Sequence, residues 1–186
     1  MPFYQKRGQI PNKRHIQFKD ASGNLYWEEL VSREGFSHMY SNIYHVNPPT
    51  AITKIGTPIK NKIQLASKLH KHYHLKTESI SSQGDAISSR IPLFLNKDII
   101  VSKCHIDTSM KNLFKNAYAD EILFINSGKG ILRSNFGCLN LSFGDYVVIP
   151  RGVIWKLEIT NPMKVLTIES ASPVETPERY RNKFGQ

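Results

Sequence analysis

Cysteine is scarce in this sequence. Cys104 and Cys138 are the only two among 186 residues, and they stand far apart. That excludes a disulfide framework and a paired-cysteine zinc site, and it suits a reducing, cytoplasmic setting. Acidic residues are also thin, 15 against 25 Lys and Arg, and none precedes Asp20. No long apolar run exists; YVVIP, among the longest, falls far short of a membrane span, so no membrane partner is expected. The opening MPFYQKRGQIPNKRH lacks the apolar core of a secretory signal. Nucleophile and nucleotide motifs are missing too: there is no GxSxG, no P-loop and no GxGxxG after a strand.

What remains is a basic, turn-rich chain of a size suited to one domain with its own core. Its hydrophobic content is 40%, with 10 prolines and 11 glycines spread along the length. The formal charge of +10 favours an anionic partner of some kind, and five of the cations fall in the first 19 residues. Nucleic acid is not the expected one, because the cations form no dense run and no nucleic-acid motif accompanies them.

The texture changes near residue 50. Residues 1–50 mix turn residues with aromatics, and Pro48-Pro49 forces an extended segment, so this part reads as an arm with one hairpin, packed on the barrel or on a neighbouring subunit. From Asn116 the punctuation becomes regular: EILFIN, SGKG, ILRSNF, CLNLSF, GD, YVVI, PRG, VIWKLEI, TNP, MKVLTIES. Short runs of this kind, separated by Gly, Asp, Asn and Pro, predict an antiparallel sandwich or barrel over 51–186, with SGKG at a hairpin. Between them IPLFL and DIIVSKCHI read as strands, while KIQLASKLHKHYHLK fits strand or helix.

Two stretches could carry chemistry. GDYVVIPRGVIW places Gly144, Pro150 and Gly152 in the turn that, in many small β-barrels, presents a metal-binding histidine, but Trp155 stands at that position. Upstream, Glu121 and Gly128 match the second half of the companion motif, whereas Phe114, Lys115, Asn116 and Ala117 occupy the place of its two histidines. The scaffold resembles that of the cupin barrel, a small jelly roll, with three of four ligands missing. A lone carboxylate beside an indole offers one strong donor, so no metal is expected here. Trp155 then reads as core with an N–H in need of a partner, and Glu121 as a carboxylate paired with a nearby cation or N–H. The second stretch is HKHYH. On a strand His70, His72 and His74 would share a face; a metal site and a solvated or anion-facing basic strand are both open, with Lys68, Lys71 and Lys76 disfavouring a cation. His15, His38, His45 and His105 are scattered.

The ends of the chain are more specific. MPFYQKRGQIPNKRHIQF, LYWEEL, EGFSHMYSNIYHVNPPT, NAYADEILFINSGKGILRSNFG, GDYVVIPRG and TPERYRNKFGQ, in this order, resemble the N-terminal half of homogentisate 1,2-dioxygenase. The likeness is strong over 1–50 and 116–186 and weaker over 51–110. It implies an all-β chain, a cupin-type jelly-roll barrel or β-sandwich with an N-terminal arm. It also implies an Fe(II) enzyme of tyrosine and phenylalanine catabolism that opens homogentisate with O₂ to give maleylacetoacetate. In that family the first cupin lacks metal ligands and the iron sits in the second, so no catalytic, cofactor-binding or metal residue is assigned here. No cofactor is expected in this chain, and Fe(II) is expected in the full-length enzyme. The expected partners are the C-terminal iron-binding cupin half or neighbouring subunits of a homo-oligomer, and the chain alone is expected to be inactive. The alternative is a free-standing cupin-like module whose pocket, around Glu121 and Trp155, holds an anionic small molecule.

Overall fold

A computed structural model describes residues 17–33, 35, 36, 40–58, 72–81, 83–180 and 182. Among these the chain is all-β, and its only helical pieces are two single 3₁₀ turns, Thr77–Ser79 and Glu178–Tyr180. No helix of the described residues is long and apolar enough to cross a membrane.

Strands β1 (Trp27–Ser32) and β2 (Tyr40–His45) form a separate antiparallel hairpin, as read from the first fifty residues. The remaining strands are β3 (Ile91–Leu95), β4 (Ile99–Ile106), β5 (Phe114–Lys115), β6 (Asp120–Ser134), β7 (Gly137–Leu141), β8 (Tyr146–Ile149) and β9 (Ile154–Ser170). They make one antiparallel sheet in the order β3-β4-β9-β6-β7, with β5 on β9 and β8 on β6.

The long strands β6 and β9 pair along their whole length, from Asp120 opposite Ser170 to Ser134 opposite Trp155. This corrects two expectations. SGKG does not turn the chain back, and TNP does not end a strand; the two stretches face each other within the ladder, Lys129 opposite Asn161. Register shifts at Ser127 and Lys129 bend the pair there instead. The glycines serve this bend. Gly128 has φ +88°, and a Cβ on it would stand 2.2 Å from the Pro162 carbonyl oxygen; one on Gly130 would stand 2.8 Å from that of Glu158. Pro162, which has no N–H to give, sits where the ladder is already broken.

The bulges also switch the phase of burial on β6. Before them Glu121, Leu123 and Ile125 are buried; after them Gly130 and Leu132 are. Strand β9 keeps its phase, burying Trp155, Leu157, Met163, Val165 and Thr167. Two layers result. One holds β8, the first half of β6, the second half of β9, β4 and β3; the other holds β7, the second half of β6, the first half of β9 and β5. Their inward side chains form a single apolar cluster around Trp155, which is fully buried.

True reversals lie at Asn135-Phe136, at Ser142–Asp145 and at Pro150–Val153. Gly144 (φ +89°) and Gly152 (φ +83°) take the left-handed conformations of the last two. Asp120 ties the ends of the chain to this frame. It is fully buried, and its Oδ1 accepts from the Arg151 N–H at 2.9 Å. Its Oδ2 accepts from the Val174 N–H at 2.9 Å and faces Arg33 Nε at 3.2 Å, just after the hairpin's first strand. Glu29 makes a second hairpin contact, with His45 at 2.8 Å and with Lys115 of β5 at 3.0 Å.

Candidate functional site

Glu121 on β6 and Glu169 on β9 are direct cross-strand partners, both in the inward phase. Two carboxylates placed opposite each other repel, and burial sharpens the repulsion. Arg90 resolves it. Its Nη1 donates to Glu121 Oε1 at 2.6 Å and also to Glu169 Oε1, while its Nε donates to the Ala86 carbonyl at 3.0 Å. Burial works against the charge on Arg90, but Glu121 and then Glu169 outweigh it and hold the guanidinium more firmly protonated than usual.

The arginine is aimed by the turn before β3. There Asp85 Oδ1 accepts from the N–H groups of Ile87 and Ser88 and from the Ser88 hydroxyl, at 2.8 to 3.0 Å. Burial alone would raise the Asp85 pKa, yet the Ser88 and Ile87 bonds leave it below the ordinary carboxylate value.

The other Glu121 oxygen, Oε2, accepts the Trp155 indole N–H at 3.1 Å. Both oxygens of a carboxylate that is 1% exposed are therefore occupied, one by a cation and one by an N–H. Phe114 meets the Trp155 ring edge-on at 5.8 Å, and the Arg90 guanidinium lies over the Phe114 ring. Cys104 is buried in the same layer; burial pushes its thiol pKa up, against the pull of Arg90.

These residues do not fit an iron ion. The carboxylate in the ligand position is fully engaged, the histidine positions hold Phe114, Lys115, Asn116 and Ala117, and the last one holds an indole, which has no lone pair to give. Lys115 pairs with Glu29, and Asn116 Oδ1 caps the Tyr118 and Ala119 N–H groups at 3.0 Å each. No group of three or more His, Cys, Asp or Glu able to hold a metal occurs among the described residues.

Of the histidine triplet, His70 lies outside the described residues. His72 and His74 are exposed in irregular chain, so the expected strand face is absent from 72–76. That segment is held by side chains and not by a ladder: Lys103 Nζ donates to the Thr77 carbonyl and hydroxyl at 2.9 and 2.8 Å, and Lys164 pairs with Glu78 at 2.8 Å. His45 serves the hairpin contact with Glu29, and His105 stands beside Lys103 and Lys164, its pKa lowered by burial and then by these two cations. His15 and His38 lie outside the described residues. Cys104 is buried, Cys138 is exposed, and both are free thiols.

Open volume lies beside the buried cluster. A cleft of about 540 Å³ runs between the β3–β4 turn at Asn96–Asp98 and the segment Phe114–Ala119, with Glu169 in its wall. Glu121 and Trp155 do not line it. Sequence reasoning singled out those two and missed Arg90 and Glu169. Glu169 was findable, since it follows Val165 and Thr167 in the inward phase of a strand. Arg90 was not, because nothing local marks which cation will answer a carboxylate 31 residues away.

No protein-family model matches the chain. It is 38% identical over 188 aligned positions to a protein of Saccharolobus solfataricus named "Putative dioxygenase", an alignment that covers 100% of this chain and 48% of that protein. Among solved structures it is similar to a cupin protein from Bacteroides fragilis, with TM-score 0.43 and 20% identity over 60% of this chain and 92% of that one. It is also similar to a cupin-2 domain protein from Shewanella frigidimarina, with TM-score 0.41 and 21% identity over 44% of this chain and 79% of that one. The Saccharolobus relative is named a dioxygenase, and homogentisate figures in none of these names. The chain spans about half the length of the curated relative that it matches.

Proposed function

We propose that this chain is the N-terminal, structural half of a ring-cleaving dioxygenase of the homogentisate type, an enzyme of tyrosine and phenylalanine catabolism in the cytoplasm. The observation that carries the proposal is the state of Glu121. In a chain that aligns over its whole length with about half of a dioxygenase-named protein, the carboxylate at the ligand position is closed off by Arg90 and Trp155. An interior so arranged stabilises a barrel and binds no ion. The catalytic iron then belongs to a second half, and this half offers that partner a rigid frame together with a docked hairpin.

Oxygen uptake tests the reading. The chain alone, with homogentisate and Fe(II), should consume no more oxygen than the Fe(II) blank. Turnover by the isolated chain would overturn the proposal. The protein in its source cells, detected with an antibody to this domain, should run well above the 21.3 kDa of this chain.

A further inference from the structure

The layer that carries Glu121 and Glu169 is apolar on its outer side as well. Directly opposed residues of a ladder share a face. In the phase opposite to Glu121 the row reads Val148, Ile122, Ile168, Val101 and Phe94, one each from β8, β6, β9, β4 and β3. An antiparallel sheet with a solvated outer side ordinarily carries polar residues there. Val148 and Phe94, at the two ends of the row, are 44% and 53% exposed. In the next row Tyr146, stacked on Phe124 at 4.5 Å, is 70% exposed. The 3₁₀ turn at Thr77–Ser79 is tied to Lys103 of that next row, through the Thr77 carbonyl and hydroxyl.

The same chain leaves an apolar segment in solvent. Residues 51–58 belong to no strand or helix and are exposed throughout, Ile52 at 78% and Ile55 at 85%. Ile52, Ile55 and Pro58 recur every three residues, the repeat of an extended polyproline-type helix, which aligns them along one edge. Pro58 favours that conformation, fixing its own backbone and holding Thr57 extended. At about 3.1 Å per residue the three side chains stand about 9 Å apart. Alternate strands of a sheet are about 9.5 Å apart. From Ile52 to Pro58 the arm therefore spans about 19 Å, the width of the five-strand row.

We propose that two copies of this chain exchange these arms, each lying across the outer row of the other. Ile55 falls over β9, and Ile52 and Pro58 fall over β8 and β3. Each copy gives one arm and receives one, so the exchange closes as an isologous dimer. Arm and row carry a single charge between them, Lys54. The attraction is apolar and works against the repulsion of two chains of formal charge +10 each. The inference goes beyond the proposed function and does not depend on it.

Sedimentation of the full chain over a range of concentrations tests it. A species of twice 21.3 kDa is expected, and added salt should tighten the association by screening the repulsion. Ile52→Asp with Ile55→Asp should weaken dimerisation by at least about a hundredfold, and so should Val148→Lys. All three positions are exposed, so the thermal unfolding of the barrel should stay as it was. An equimolar mixture of the arm variant and the row variant should recover part of the lost association, because one intact arm then meets one intact row. A chain that stays monomeric at every concentration would overturn the proposal and leave the arm to a different partner. So would a dimer indifferent to the arm variant, a dimer that salt dissociates, or a mixture no stronger than its components.

Discussion

Arg90 holds a position that no other residue can take over. It is the one cation shared by two facing carboxylates, Glu121 buried and Glu169 half-buried, and its side chain is only 11% exposed. Replacing it with Met would leave Glu121 and Glu169 confronting each other, with Glu121 cut off from solvent. Stability should fall by about 3–5 kcal/mol at neutral pH, as for other buried ion groups stripped of one partner. Chemical denaturation of Arg90→Met at neutral pH checks the size. The sequence made Trp155 and Glu121 legible as a core residue and a paired carboxylate, because both stand in a recognisable turn-and-strand pattern. It left their shared bond and the third member unnamed, since pairing across 31 and 34 residues depends on the sheet register.

At the scale of the element, β6 and β9 teach the same lesson about strand boundaries. SGKG and TNP carry turn composition, and local chemistry alone reads them as breaks. Each nevertheless finds the other opposite, and the two facing irregularities bend the ladder without ending it. The strands themselves were legible from alternation, as IPLFL, DIIVSKCHI and YVVI show. Gly128 tests the account of the bend. Gly128→Ala places a Cβ against the Pro162 carbonyl at 2.2 Å and demands a positive φ of a residue that avoids it. The loss should exceed the roughly 1 kcal/mol expected from the backbone conformation alone. Gly144→Ala, with a similar φ and open space around it, should cost only that conformational part. Thermal unfolding of the two variants compares them directly.

Across the whole molecule, Asp120 joins three regions that are distant in sequence: the hairpin through Arg33, the β8–β9 turn through Arg151, and the segment after β9 through Val174. Asp120→Ala removes the common acceptor and leaves two N–H groups and Arg33 without it. Hydrogen exchange should then show the hairpin amides of β1 and β2 losing protection well before those of the β6–β9 ladder, which has no need of Asp120 for its own pairing. Uniform loss across both would contradict this division of labour. The pairing of β1 with β2 could be read in the sequence from turn residues and aromatics. The point of attachment could not, because a buried aspartate at the start of a strand looks like any other strand-flanking acid until its partners are folded against it.

The facing of Glu121 and Glu169 also bears on how the chain finds its fold. If β6 slipped by one residue against β9, Glu121, Leu123 and Ile125 would all turn outward, and Arg90 would keep only Glu169 of its two carboxylate partners. A sheet misregistered in this way loses its apolar contacts and both bonds of Glu121 together. The cluster thus acts as a register mark that penalises a one-residue slip of the two longest strands.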